Sequence, residues 1–404
     1  MSENPKSGAY QYDEHLMPSE EKLEVRKRNN KINIGIPANA SKDERCLPLT
    51  PQAVEILVEN GHEVMIEKNA GAKSRYTDLE YSEAGAAIAS NRADVFQCDY
   101  VFKVAPFTAD EIDMLRGHQV LFSMLQIDSQ SRGCIQKLMD KKVSAIAFEY
   151  LKDETGSLPV MQSLSEISGI VAMNVAGELL SNTSNGKGVL FGGVTGISPA
   201  AIMILGAETA AESAARTAIG LGAEVKIFDN SISKLRAFER KFSQKIFTSL
   251  YYPRVLEKAI SSADVVVGAQ PFNSVPQYRV SRDLVKTMKP GSVIIDLNAS
   301  QGGCFETTRC TNMSNPTYVD EGVIHYCVPN ISSRVSRTTT ISLSNILTSG
   351  LLEIGESGGI LSYIKNQKGA RDGVYIYNGL LTNHDVGNKF GIQAKDLDLL
   401  LSAF

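Results

Sequence analysis

The stretch that decides the fold is Ile204-Leu-Gly-Ala-Glu-Thr-Ala-Ala211 (ILGAETAA). The apolar run AAIMIL before it predicts a buried strand, and the small-residue segment AAESAARTAIGLGA after it predicts a helix. EVKIFD then predicts a second strand that ends at an acid, Asp229, 23 residues after Gly206. Strand, turn, helix and an acid about 20 residues on form the skeleton of a dinucleotide-binding turn.

This turn keeps one of the three glycines of G-x-G-x-x-G. Gly206 holds the first position, while Glu208 and Ala211 hold the second and third. Ala is tolerated at the third position, but a carboxylate at the second lies beside the pyrophosphate. Two like unit charges ~4 Å apart repel by about 4 kcal/mol at an effective dielectric near 20. Two interpretations stay open: Glu208 occupies the phosphate position itself at the helix N-terminus, or it turns into solvent and nucleotide binding is weakened.

The composition indicates a globular protein with two domains. The chain has 404 residues, 43% of them hydrophobic, and a net charge of -4. The mildly acidic balance predicts no nucleic-acid partner. The lack of an 18-residue apolar run, and of an apolar segment in residues 1–20, predicts no membrane span and no secretory signal. Six scattered cysteines and five dispersed histidines favour a cytoplasmic protein with reduced thiols and no metal site.

Strands and helices alternate along the chain from residue 33. The predicted strands of a first unit are INIGI, HEVMIE, YVFKV, QVLFSML and SAIAFEY, with helices at TPQAVEILVENG and DLEYSEAGAAIA. A long helix, SEISGIVAMNVAGELLSN, leads to a second unit with strands AAIMIL, EVKIFD, KIFTS, DVVVGA, SVIIDL and IHYCV. ISLSNILTSGLLEIG predicts a further helix. The predicted fold class is therefore α/β, with two doubly wound parallel-sheet domains.

Five longer stretches resemble one known family. They are ERCLPLTPQAVEILVENGHEV, SLSEISG, NGKGVLFGGVTGISP, MKPGSVIIDLNASQGGCFE and HYCVPNISSRVSRTTTISLSN. They are similar to the alanine dehydrogenase family, which includes the alpha subunit of the proton-translocating pyridine nucleotide transhydrogenase. The resemblance implies a Rossmann domain (163–339) inserted into a discontinuous substrate domain (33–162 and 340–404), after an N-terminal extension (1–32). The active site is then expected in the cleft between the domains.

The resemblance also implies a reaction, the reversible oxidative deamination of L-alanine to pyruvate and ammonia with NAD as hydride acceptor. The family's Arg, which binds the substrate carboxylate, is retained as Arg45. The Lys that polarises the carbonyl is replaced by Ala105, in the sequence KVAP. The His that acts as general acid and base is replaced by Gln126, in LFSMLQ, and the Asp beside the nicotinamide by Ser300, in NASQGG.

These three replacements remove chemistry from the site. Gln126 cannot exchange a proton near neutral pH, and a general acid or base contributes about 10²–10⁴ in rate. Ala105 offers no cation, and Ser300 is neutral. Lys103 is a possible substitute, because residues 103 and 105 of a strand point to the same face. At each position taken alone, drift or a conservative exchange is the alternative.

Several cofactor positions persist by resemblance. The residues implied to contact the nucleotide are Ser165, Gly206, Glu208, Asp229, Lys234 and Asn330. Two have plain structural alternatives, because Asp229 can cap the turn that follows it and Ser165 can be a helix N-cap. A carboxylate at Asp229 favours NAD over NADP, since it opposes a 2′-phosphate.

Two functions are therefore predicted as alternatives. The first is an NAD-dependent alanine dehydrogenase with impaired activity, acting on a small amino or keto acid. The second is a non-catalytic scaffold or small-carboxylate sensor with the same fold. Self-association as a dimer or hexamer is expected from the resemblance.

Overall fold

Two β-sheets organise the part of the chain that the computed structural model describes, residues 30–41, 43–271 and 276–402. The predicted N-terminal extension, 1–32, lies outside these residues except for its last three. The strands are β1 (Asn33–Ile36), β2 (Glu63–Glu67), β3 (Ala87–Ala89), β4 (Tyr100–Phe102), β5 (Val120–Ser123), β6 (Ser144–Ala147), β7 (Ala201–Leu205), β8 (Glu224–Phe228), β9 (Phe247–Ser249), β10 (Val265–Gly268), β11 (Val293–Asp296), β12 (Thr317–Asp320), β13 (Val323–Tyr326), β14 (Val374–Tyr377) and β15 (Leu380–Leu381).

Helices cover both sheets and join them. They are α1 (Pro51–Glu59), α2 (Asp78–Glu83), α3 (Arg92–Val95), α4 (Ala109–Met114), α5 (Arg132–Asp140), α6 (Pro159–Leu180), α7 (Thr209–Gly220), α8 (Ile232–Glu239), α9 (Pro253–Ser262), α10 (Arg282–Val285), α11 (Ser336–Glu356), α12 (Ile360–Asn366), α13 (Lys368–Arg371), α14 (His384–Phe390) and α15 (Leu397–Ser402). The two long helices, α6 and α11, connect the sheets.

The first sheet has the order β15-β14-β6-β5-β4-β1-β2-β3. Its pairs are parallel, except that β14 runs antiparallel to β6 and to β15. The chain winds outward from β1 through β2 to β3, and then from β4 through β5 to β6 on the other side. The strand order therefore reverses between β1 and β4, and the loops after these two strands flank a crevice.

The second sheet has the order β12-β13-β11-β10-β7-β8-β9. Only β12, which is antiparallel to β13, departs from parallel pairing among its described strands. The order reverses between β7 and β10, which places the turn ILGAETAA at the crevice of this sheet. The predicted α/β class with two doubly wound sheets is confirmed.

Local sequence explains where the elements begin and end. Thr50 Oγ1 accepts the Ala53 N–H (3.2 Å), Pro51 occupies the first turn of α1, and Gly61 follows it with φ 86°. One predicted helix is partly wrong. DLEYSEAGAAIA forms the short helix α2, breaks at Gly85 (φ 88°) and continues as the strand β3. The antiparallel strands β12, β14 and β15 were not predicted from the sequence.

Close packing of α6 against α7 fixes the helix that follows the dinucleotide-binding turn. A Cβ on Gly169 of α6 would lie 2.3 Å from Ala210 O and 2.8 Å from Ala214 N. Ala211, the third position of the glycine motif, is fully buried. The residue that permits the closest helix contact therefore comes from α6, and alanine at position 211 packs without conflict.

Candidate functional site

The candidate residues lie mainly in loops that leave the carboxyl ends of parallel strands. The strand before each is β1 for Arg45, β4 for Lys103 and Ala105, β5 for Gln126, β7 for Gly206 and Glu208, β8 for Asp229, β11 for Ser300 and β13 for Asn330. In doubly wound sheets ligands bind at this edge. Lys234 lies in the first turn of α8, and Ser165 lies within α6, which begins at Pro159, so Ser165 is not an N-cap.

Gly206 is required by the geometry of the turn. Its φ is 115°, a conformation that side chains disfavour, and its N–H donates to Phe228 O (2.7 Å). A Cβ there would lie 2.1 Å from Ala269 O. The backbone of this turn therefore passes so close to the end of β10 that only glycine fits at position 206, as in a dinucleotide-binding turn.

The Glu208 carboxylate turns away from the amides of α7. Glu208 is the N-cap residue of α7, but its side chain accepts no capping hydrogen bond. Its Oε1 instead receives Lys234 Nζ at 2.5 Å, and the two side chains are 43% and 35% exposed. The missing capping bond argues against the interpretation in which Glu208 fills the phosphate position through the helix amides, and the Glu208 charge has a cationic partner.

Asp229 has a structural partner of its own. The residue is buried, and its Oδ1 accepts the Ser231 N–H (2.9 Å). Ser231 Oγ in turn caps α8 by accepting the Lys234 N–H (3.3 Å). One carboxylate oxygen thus stabilises the turn after β8, as predicted by the alternative in which Asp229 caps this turn. A ribose hydroxyl could use only the hydrogen-bonding capacity that this carboxylate has left.

A buried carboxylate that the sequence reading missed, Glu44, connects the two sheets. Asn330 Nδ2 donates to Glu44, and Ser333 Oγ donates to Glu44 Oε1 (2.9 Å). The Cys46 N–H donates to the same oxygen (2.7 Å). Burial raises the pKa of Glu44, while these donors oppose the rise. The amide of Asn330 is therefore bonded to the loop after β1.

Arg45 lies beside this contact and is exposed. Its N–H donates to Ser333 Oγ (3.4 Å), and its carbonyl accepts Ser74 Oγ (2.6 Å). Its side chain lines an open pocket of about 290 Å³ together with Ala72, Lys73 and Arg75. A guanidinium in this setting can bind a carboxylate through two parallel hydrogen bonds.

Lys103 points into the protein interior. It is 1% exposed, and its Nζ donates to Glu111 Oε2 at 2.7 Å. Glu111 Oε1 also receives Arg92 Nη2 (2.5 Å). Burial lowers the pKa of Lys103, and Glu111 opposes this effect. The ammonium is thus part of a buried ion-pair network, which argues against Lys103 as a substitute for the missing cation at the half-buried Ala105.

Gln126 is bonded through its backbone to a second buried carboxylate, Glu149, which the sequence analysis did not predict. Its backbone is left-handed (φ 42°), and its N–H donates to Glu149 Oε1 (3.2 Å), which also accepts the Leu125 N–H (2.6 Å). Glu149 Oε2 is buried with no hydrogen-bond partner among the described residues. Burial raises the pKa of Glu149 to about 7 against these two donors. An acid directly after the apolar strand SAIAF was the available signal.

Ser300 is exposed in a 3₁₀ turn after β11. Next to it, Asn298 ties the ends of β10 and β11 together, since its Oδ1 accepts the Gln270 N–H (2.9 Å) and its Nδ2 donates to Gln270 O (3.1 Å). The structure brings Arg45 and Asn330 into one network. Within the described ranges, no hydrogen bond joins Gln126 or Ser300 to it.

Comparison with known proteins assigns the family. Residues 35–168 match the family described as "Alanine dehydrogenase/PNT, N-terminal domain", and residues 172–384 match "Alanine dehydrogenase/PNT, C-terminal domain". The chain belongs to the alanine dehydrogenase/PNT family. The two matched regions meet within α6, so this helix is shared between the halves of the family fold.

Relatives within the alanine dehydrogenase/PNT family cover almost the whole chain. "Alanine dehydrogenase 2" of Staphylococcus aureus (strain USA300) is 35% identical over 370 residues, which are 91% of this chain and 99% of the relative. A solved "L-alanine dehydrogenase" superimposes with a TM-score of 0.83 at 32% identity, over 89% of this chain and 99% of that chain. A transhydrogenase from Sinorhizobium meliloti (TM-score 0.69, 21% identity, 86% and 98% covered) shares the fold.

No helix of the described residues is long and apolar enough to cross a membrane.

Proposed function

We propose that this alanine dehydrogenase-family protein binds NAD(H) and a small amino or keto acid but carries out the deamination of L-alanine only slowly. Nucleotide binding is supported by the turn around Gly206, whose conformation and contacts admit no side chain. The α7 amides are not capped by Glu208, so they can face a pyrophosphate. Lys234 pairs with the Glu208 carboxylate and so offsets its repulsion of a pyrophosphate.

The chain's own residues would bind and orient the reactants. NAD, when bound, supplies the hydride acceptor. Arg45 would hold the substrate carboxylate at the crevice of the first sheet, close to the loop of Asn330 at the end of β13. Asp229 would face the adenosine ribose, with one oxygen already on Ser231, while Lys234 would hold the Glu208 carboxylate. These groups bind and orient, and none of them transfers a proton.

The main support for the proposed slow rate is the position of Lys103. Because its Nζ is buried against Glu111, Lys103 does not take the place of the missing cation at Ala105. Gln126 and Ser300 supply neither a general acid nor a carboxylate. The absent proton transfer alone should lower the rate by about 10²–10⁴.

A specific observation also favours the second function, a small-carboxylate sensor. Arg45 lines an open pocket, which supports carboxylate binding without requiring proton transfer. A sensor needs binding and no turnover. The two functions differ in one measurable respect, the appearance of NADH.

The test is NADH formation from L-alanine and NAD by the purified full-length chain, with the reverse reaction from pyruvate, ammonia and NADH. We expect a trace far below that of an ordinary alanine dehydrogenase. The combined variant Ala105→Lys, Gln126→His, Ser300→Asp should raise the rate by about 10²–10⁴, whereas Gln126→Asn, as matched control, should not. An ordinary rate in the wild type would refute the impairment, and a flat trace with clear NADH binding would favour the sensor.

We also propose that the chain forms a homo-oligomer. The loop between α6 and β7 exposes three apolar side chains, Leu190 (67%), Val194 (57%) and Ile197 (66%). Exposed apolar clusters of this kind mark protein contacts. Sedimentation velocity would give a single species larger than 43.8 kDa if the proposal is right.

A cytoplasmic location is the remaining part of the proposal. All six cysteines are free thiols, and four of them are buried. Such thiols persist in a reducing compartment. Fractionation with a tagged full-length chain tests this directly.

A further inference from the structure

Three cationic side chains line one pocket at the crevice of the first sheet. The pocket, of about 290 Å³, is formed by Arg45, Ala72, Lys73 and Arg75. Arg45 comes from the loop after β1, and the others come from the loop after β2. Ser74 Oγ donates to Arg45 O (2.6 Å), which fixes one loop on the other. The cations are therefore held together by the fold.

The two acids that adjoin Arg45 in the described part of the chain, Glu44 and Asp43, have other partners. The Glu44 carboxylate turns to Ser333 and Asn330, and Asp43 Oδ1 accepts the Met313 N–H (3.0 Å). Within residues 30–41, 43–271 and 276–402, no carboxylate forms an ion pair with the guanidinium of Arg45 or of Arg75.

The long helix α11 holds the loop that carries Lys73 and Arg75. Its first residue, Ser336, donates through Oγ to Lys73 O (2.9 Å), and Arg337 Nη1 donates to Arg75 O (2.6 Å). Two backbone carbonyls of this loop are therefore bonded to the first turn of the 21-residue helix α11, which fixes the position of the loop.

The backbone of Arg75 is left-handed, with φ 62° and ψ 36°. Glycine adopts this conformation without strain, whereas arginine is disfavoured there. Strained residues of this kind concentrate at functional sites. The side chain of Arg75 is accordingly the part of the residue that needs an explanation, and it lies in the pocket.

We infer that the pocket binds a short dicarboxylate, with one carboxylate on Arg45 and the second on Arg75. Lys73 Nζ donates to Ser41 O (2.8 Å) and Glu44 O (3.4 Å), so the inference rests on the two guanidinium groups. This inference rests on the carboxylate-binding role proposed for Arg45. A monocarboxylate such as alanine or pyruvate satisfies one guanidinium and leaves the other without a partner. A second carboxylate fits the planar fork of the second guanidinium in the same two-pronged way.

The experiment is isothermal titration calorimetry of the full-length chain without nucleotide, at constant ionic strength. The probes are propionate, malonate, succinate, glutarate and inorganic phosphate. We expect at least one dicarboxylate to bind tenfold or more tightly than propionate. Arg75→Gly, which suits the left-handed backbone, should weaken that dicarboxylate about tenfold to a hundredfold and leave propionate unchanged.

Two further variants separate the explanations. Arg45→Gln should weaken propionate and dicarboxylates alike. Arg254→Gln, which removes an exposed arginine on α9, should change neither. The inference is overturned if no dicarboxylate exceeds propionate, if Arg75→Gly binds as the wild type does, or if phosphate binds more tightly than every dicarboxylate. NADH is absent throughout, so a failure of nucleotide binding or of catalysis shows separately.

Discussion

The contact between Glu208 and Lys234 predicts how charge controls nucleotide binding. The Glu208 carboxylate is 43% exposed, so the effective dielectric around it lies between about 20 and that of water. Without a partner, one carboxylate ~4 Å from a phosphate charge repels it by about 1–4 kcal/mol. That range corresponds to about fivefold to a thousandfold in Kd. With Lys234 Nζ 2.5 Å away, most of this repulsion should be offset in the wild type.

The perturbation is a double-mutant cycle of Glu208→Gly and Lys234→Met. Lys234→Met leaves the carboxylate unbalanced and should weaken NADH binding by about fivefold to a thousandfold, whereas Glu208→Gly should change the Kd by less than fivefold. The double variant should return to within about tenfold of the wild type. Because the pair is solvent-exposed, it contributes about 1 kcal/mol or less to stability, and all three variants should remain folded.

The assay is titration of NADH fluorescence at low salt, since screening at 0.1 M acts over about 10 Å. A double variant that binds as weakly as Lys234→Met would refute the reasoning, because the loss would then come from a contact of Lys234 with the nucleotide. A hundredfold gain in Glu208→Gly would refute it in the other direction, by showing that Lys234 does not balance the carboxylate.

Three further outcomes are expected. Lys103→Met removes one partner of the buried carboxylate of Glu111 and should lower the free energy of unfolding in urea by about 3 kcal/mol, whereas Lys137→Met, in an exposed pair, should leave it unchanged. Burial raises the pKa of Glu149 from 4.5 to about 7, so the stability from its neutral carboxyl is fully present below pH 4.5 and is lost as the pH rises through 7. Glu149→Gln should therefore match the wild type near pH 4.5 and exceed it at pH 8 by about 3 kcal/mol. Ile197→Asp should shift sedimentation toward a smaller species.

Each of these three predictions has a result that would contradict it. Unchanged unfolding in Lys103→Met would mean that Arg92 alone balances Glu111. A constant stability difference between Glu149→Gln and the wild type from pH 4.5 to 8 would mean that this carboxyl does not titrate there. Unaltered sedimentation of Ile197→Asp would remove its loop from the proposed interface.

Much of the fold followed from the sequence because most strands are short apolar runs bounded by turn residues. The prediction of secondary structure was wrong where pairing between strands outweighed the local preference for helix. The alanines after Gly85 favour helix, but they form β3 against β2, and a Cβ on Gly85 would lie 2.9 Å from Val58 Cγ1. The strand β14 was missed although VYIY is a β-branched and aromatic run bounded by Gly373 and Asn378. No local pattern shows its pairing with β6 at Val374 and Ile146, 228 residues apart (374 − 146).

The candidate site was predictable as a set of positions but not as a set of contacts. Strand ends locate Arg45, Gln126 and Glu208, since the loops after parallel strands share an edge. The direction of each side chain depends on partners that are distant in sequence, such as Lys234 for Glu208 and a residue 286 positions away for Asn330. Such partners depend on rotamers and on packing, which no local pattern encodes.

The pairing of β14 with β6 also bears on the order in which the chain folds during synthesis. The second sheet is built from one continuous segment, residues 201–326, and is complete before β14 has been made. The first sheet has its β6 edge unpaired until then, and pairing over such a long separation is slow. We therefore expect the second sheet to reach its native structure first on the ribosome. The β6 edge, which is unpaired until β14 has been made, is therefore a place where the nascent chain is exposed to aggregation.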